Sequence, residues 1–121
     1  MSKWTITSIG SLVDDFLEEG IIILFGPEAT PELQEISIVH DGIKGKAPQL
    51  CEGGQIVIGT MTYHIKKVGE HANQSLNELG HVSLYFRETD GADLPGSVVI
   101  EPDCPPEVMV GDQILVKKKL S

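Results

Sequence analysis

At 121 residues the chain is long enough for one domain with a proper core and too short for two conventional ones. Its formal charge of −9 argues against general nucleic-acid or anionic-membrane binding, both of which need clustered Lys and Arg. An acidic surface suits a basic protein partner, because opposite fields steer encounter.

The run from Trp4 to Ile9 alternates and is rich in β-branched residues, so it predicts a strand that Gly10 ends. Leu12, Val13, Phe16 and Leu17 recur at helical spacing among acids, a short amphipathic helix with Gly20 as its stop. Ile21 to Phe25 is a continuous apolar run, a buried strand. Gly26-Pro27 and Thr30-Pro31 make a connection, and Glu35 to His40 returns as a strand, in hairpin fashion, to a turn at Asp41-Gly42. Gln55 to Ile58 closes this half. The plan then recurs: a strand from Tyr63 to Val68, a helix from His71 to Leu79 stopped by Gly80, and a strand from His81 to Phe86. A turn at Gly91 to Gly96, a strand from Ser97 to Ile100, a break at Pro102 to Pro106 and a strand from Gln113 to Lys118 complete it.

The two halves match residue by residue, approximately 4–58 against 63–116, and such self-similarity decides the fold. Trp4 answers to Tyr63, Gly20 to Gly80, Leu33 to Leu94, and the strand Ser37 to His40 to Ser97 to Ile100. A half of about sixty residues is marginal alone, so both are read as parts of one core. Each half reads strand, helix, then three strands. The predicted fold is mainly β: a closed or nearly closed barrel with approximate two-fold symmetry and two short helices, one domain over residues 1–121. Strand exchange within one chain or between two would both satisfy this pattern, so a homo-oligomer stays open.

Where the copies agree, shared packing explains them; where one has histidine against an aliphatic residue, packing does not. His40 stands opposite Ile100, and His81 opposite Ile21. His40 ends an aliphatic strand before Asp41-Gly42, with Lys44 and Lys46 flanking Gly45 beyond it. A neutral imidazole is a competent nucleophile, nearby ammonium groups would offset phosphoryl charge, and Gly42 and Gly45 would admit close backbone approach. The plainer alternative is a strand-end histidine that caps a turn, its lysines merely solvated. For His81 the alternatives are a hydrogen-bond partner, a second nucleophile, or a buried ring bonded to a carbonyl. By the hairpin reading, Ile21 lies near His40 and His81 near Ile100. His64 and His71 read as surface residues, and no zinc spacing or G-x-S-x-G signature occurs. Cys51 and Cys104 read as reduced, incidental thiols. No signal peptide or spanning stretch is visible, so a cytoplasmic location is expected.

The stretch from Val68 to Val82, with Gly69, His71, Ala72, Asn73, Leu76, Leu79, Gly80 and His81, resembles the glucitol/sorbitol-specific enzyme IIA component of the bacterial phosphoenolpyruvate-dependent sugar phosphotransferase system. Leu94-Pro95-Gly96 and the strand end Ile38-Val39-His40 resemble it too, and the likeness covers almost the whole chain. The resemblance implies a cytoplasmic phosphohistidine carrier. Such a protein accepts a phosphoryl group from phospho-HPr and passes it to the IIB domain of a membrane sugar permease, with no metal or organic cofactor. It places the phosphohistidine after the first half's hydrophobic strand, here His40, with His81 as support or competitor; Lys44, Lys46 and Gly42 are the stabilising groups that the sequence itself offers beside it. Two successive partners must reach that histidine, which predicts a flat, accessible surface. The alternatives are a non-catalytic β-barrel ligand-binding or regulatory module, which the few aromatics mildly disfavour, and a histidine-based metal protein.

Overall fold

The computed structural model describes residues 2–118. The first half runs through strand β1 (Ser2–Ile9), helix α1 (Val13–Glu18), β2 (Ile21–Phe25), helix α2 (Pro31–Ile36), β3 (Ile38–His40) and β4 (Gln55–Ile58). The second runs through β5 (Met61–Val68), helix α3 (Ala72–Leu79), β6 (Val82–Tyr85), a 3-10 turn (Asp90–Asp93), β7 (Ser97–Glu101) and β8 (Gln113–Lys117). The eight strands close into a barrel in the order β1-β3-β2-β6-β7-β5-β4-β8. Exchanging the halves leaves that order unchanged. β2 pairs antiparallel with its counterpart β6, and β4 with its counterpart β8. Even the irregularities correspond: β1 bulges against β3 between Ile6 and Ser8, and β5 against β7 between Ile65 and Lys67. Closure removes the exposed strand edges that either half would carry alone.

The strands alternate as their sequences require. Ile22, Leu24, Ile56, Ile58, Val98 and Ile100 point inward and are at most 1% exposed. Fully burying one such aliphatic side chain contributes roughly 1.5–3 kcal/mol. Val13 and Leu17 from α1, and Ala72 and Leu76 from α3, cap the same core.

Two expectations need correction. Among the described residues there are three α-helices, not two, because α2 occupies the segment read as a connection and the start of a strand. Thr30 is its N-cap, with Oγ1 accepting the Leu33 N–H at 3.4 Å, and Pro31 stands in the first turn. Only Ile38–His40 of the β-branched run is strand; Ser37, already extended, ends the helix. The helix also changes the topology. A helical crossover carries the chain back over the sheet, so β3 runs parallel to β2, with Leu24 opposite Ile38 and Phe25 opposite Val39. His40 therefore lies at the Phe25 end of β2, and the hairpin placement beside Ile21 is wrong.

Candidate functional site

β3 is held on both sides, by β1 and by β2, so its end is a rigid platform. Its three residues alternate: Ile38 joins the barrel core, Val39 joins Phe25, Ala29 and Leu33 beneath α2, and His40 turns inward again. There the imidazole stacks on the Trp4 indole, centroids 4.0 Å apart and planes 6° from parallel. His40 is 1% exposed, so the flat, accessible setting expected for it is not what surrounds it.

Both ring nitrogens are engaged. The Gly42 N–H donates to Nδ1 at 2.9 Å, and Nε2 lies 2.8 Å from the Gly80 carbonyl oxygen. A carbonyl only accepts, so Nε2 carries the proton and Nδ1 the lone pair. The contacts thereby define one neutral tautomer. Burial supports the same state, holding the His40 pKa below the ordinary 6.5 against upward pulls from the Gly80 carbonyl and the Asp41 carboxylate. The two glycines are needed for closeness as well as for hydrogen bonds. A Cβ at Gly42 would meet the His40 ring at 2.8 Å, and one at Gly80 would meet Cε1 at 2.7 Å. Gly80, with φ of +68°, is also the left-handed residue that ends α3.

The ring lies against a cleft of about 250 Å³. Trp4, Pro27, Leu76 and Leu79 give it apolar walls, while Glu28, Asp41 and Glu78 bring carboxylates and Lys44 an ammonium. Lys46 is exposed but does not line it. Ile43 and Leu79 leave 67% and 44% of their surfaces open at this cleft.

His81 reaches the same end of the barrel by a different route. It directly precedes β6, is half-buried, and stacks on Phe25 with centroids 4.9 Å apart. Its Nδ1 lies 3.1 Å from the Leu24 carbonyl, so Nδ1 carries the proton and donates. The two histidines are thus tied through backbone, since Gly80, which accepts from His40, immediately precedes His81. His64 and His71 are exposed. His71 sits at the start of α3, 3.8 Å from Glu70, and takes no part in the cleft. Among the described residues, no three His, Cys, Asp or Glu side chains gather as a metal site. Trp4, Glu28, Glu78 and Gly80 were not singled out as site residues from sequence. The chain's one tryptophan, standing opposite Tyr63, was the available signal for the first.

The barrel has the fold of a solved phosphotransferase-system (PTS) IIA component. The crystal structure of a PTS system IIA component from Enterococcus faecalis V583 matches it with a TM-score of 0.87 and 29% identity, over 97% of this chain and 100% of that one. The glucitol/sorbitol-specific EIIA components of the PTS of Escherichia coli K12 and Shigella flexneri are each 34% identical over 109 residues, covering 88% of this chain and 86% of theirs. The model of the PTS glucitol/sorbitol-specific IIA component family matches residues 1–115, and the chain belongs to that family, as a phosphoryl-carrying component in sugar uptake.

Proposed function

We propose that His40 is the residue that carries the phosphoryl group, received from phospho-HPr and surrendered to the IIB domain of a glucitol/sorbitol permease. The whole of residues 1–121 acts in this as one cytoplasmic IIA-type domain. The observation that supports His40 most is its fixed neutral tautomer: a lone pair on Nδ1 and a proton on Nε2 held by the Gly80 carbonyl. A protonated ring could not attack; this one is kept neutral by its burial.

In the transfer, a ring lone pair attacks the donor's phosphorus in line. The donor's P–N bond breaks as the new one forms, and the leaving imidazole keeps that electron pair. In attack through Nδ1 only the phosphoryl group changes hands, and the proton stays on Nε2, still donated to the Gly80 carbonyl. Attack through Nδ1 requires only the Gly42 N–H to withdraw. Attack through Nε2 requires the Gly80 contact to break and a proton to move between nitrogens. Stabilisation of the phosphoryl oxygens falls to the freed Gly42 N–H and to Lys44 on the cleft wall. Lys46, outside the cleft, contributes only to the field. His81 supports by anchoring the backbone that presents the Gly80 carbonyl. The carboxylates of Glu28, Asp41 and Glu78 beside exposed Ile43 and Leu79 suit a partner with an apolar patch ringed by basic residues.

His81 is a real competitor, because donation through Nδ1–H leaves the neutral ring's lone pair on Nε2. Intact mass after incubation with phosphoenolpyruvate, enzyme I and HPr separates the two. A phosphoryl adduct on wild type that disappears in His40→Ala and persists in His81→Ala is the expected result. Loss in His81→Ala alone would move the site to His81, and no adduct on folded wild type would favour a binding module.

A further inference from the structure

The chain between β3 and β4 has no regular structure, yet it is fastened along α3. The Asn77 backbone carbonyl accepts the Gly45 N–H at 2.9 Å, and its Oδ1 accepts the Ala47 N–H at 3.1 Å. One turn earlier in α3, Asn73 holds Leu50 from both sides. Its Oδ1 accepts the Leu50 N–H at 2.7 Å while its Nδ2 donates to the Leu50 carbonyl at 2.9 Å. A spacing of four residues puts both amides on one helix face. The corresponding positions of α1 in the first half are Asp14 and Glu18, both exposed, whose carboxylates cannot donate to a carbonyl as the Asn73 amide does. The fastening is thus a departure from the two-fold pattern, made on the His40 side only.

The near end of this strap covers the histidine. Gly42 occupies Nδ1, residues 41–44 form one wall of the cleft, and the ring is 1% exposed. A partner's phosphohistidine has no path to a nitrogen while the strap lies down. α3 therefore controls both nitrogens: its C-terminal Gly80 holds Nε2, and its asparagines hold the strap that reaches Nδ1.

We propose that Asn73 and Asn77 are positioning residues that set how often the strap lifts from His40, and so the rate at which His40 accepts a phosphoryl group. The proposal rests on the reading of His40 as the acceptor. Acceptance from a rarely open state scales with the open fraction. Removing one side-chain to backbone hydrogen bond raises such a fraction by about three- to tenfold.

The test uses the full chain and three variants. Asn77→Ala removes the Ala47 contact, Asn73→Asp replaces the donor to the Leu50 carbonyl with an acceptor, and Asn77→Asp keeps an oxygen for the Ala47 N–H. Asn77 is exposed, so its variants leave the core intact. Hydrogen exchange at the Gly42 amide and single-turnover acceptance from phospho-HPr are measured side by side. Both should rise together, about three- to tenfold, in Asn77→Ala and Asn73→Asp, with Asn77→Asp close to wild type. Faster exchange at Gly42 with acceptance unchanged or slowed overturns the gating role and leaves His40 as the acceptor. Unchanged exchange at Gly42 overturns the strap's hold on the ring, whatever the rate. A wild-type protein that takes no phosphoryl group on His40 overturns the reading beneath, and the exchange data then judge the strap separately.

Discussion

A histidine whose ring is buried neutral couples the fold to pH. The folded His40 pKa lies below the unfolded value of 6.5, so as pH falls the unfolded chain takes up the proton first. The stabilisation is fully present above the unfolded value and is lost as pH falls from 6.5 through the folded value. Urea midpoints measured across this window should be level above neutrality and fall below about pH 6.5, and His40→Gln should flatten that fall. A midpoint that rises on acidification through this window would contradict the neutral seat. Part of this site was legible in the sequence. His40 aligns with Ile100, and both prove to be inward positions, Ile100 at 0% exposure. The alignment also carried a signal of burial that the expected accessible surface overrode, since residues two apart in a strand share a face and Ile38 is core. What the sequence could not supply was the Gly80 carbonyl, forty residues away along the chain.

At the scale of elements, the segment least well read was α2. Thr30 followed by Pro31 is a helix-start signal, but the run from Ile36 to Val39 reads more strongly as strand, and propensity favoured the longer β reading. α2 has only six residues and buries none of them, so its cap carries an unusual share of its stability. Thr30→Ala should cost about 0.5–1 kcal/mol, at the low end for N-caps because the hydrogen bond is long. Equilibrium urea unfolding reads this directly, and no loss would show that packing of Leu33 on Phe25, Ala29 and Val39 suffices. The remaining strands and both other helices were legible because their periodicity and glycine stops are local signals. The strap across α3 was not. Two asparagines four apart are visible in any helix, but nothing local names the backbone groups they will meet.

On the scale of the whole molecule, the ladders β1–β8, β2–β6, β4–β5 and β4–β8 all join one half to the other. Neither half holds a closed sheet of its own. Trp4 is the only tryptophan and sits on a seam between the halves, opposite Ile114 of β8, so its fluorescence reports packing there, whereas far-ultraviolet circular dichroism reports the whole sheet. The two probes should give coincident denaturation curves, as one cooperative unit requires. Separated curves would mean that this seam opens apart from the rest of the sheet.

The start of β1 and the end of β8 lie side by side, Ser2 opposite Val116, just as Met61 lies opposite Ile58 across the turn between β4 and β5. A short linker across the first gap would build a second copy of that turn. Cutting at Gly59-Thr60 would then yield a circular permutant with the same ladder of strands, its chain order rotated by half a barrel. In such a protein His40 would come late in the chain and Gly80 early, with the imidazole and its carbonyl still meeting across the same seam.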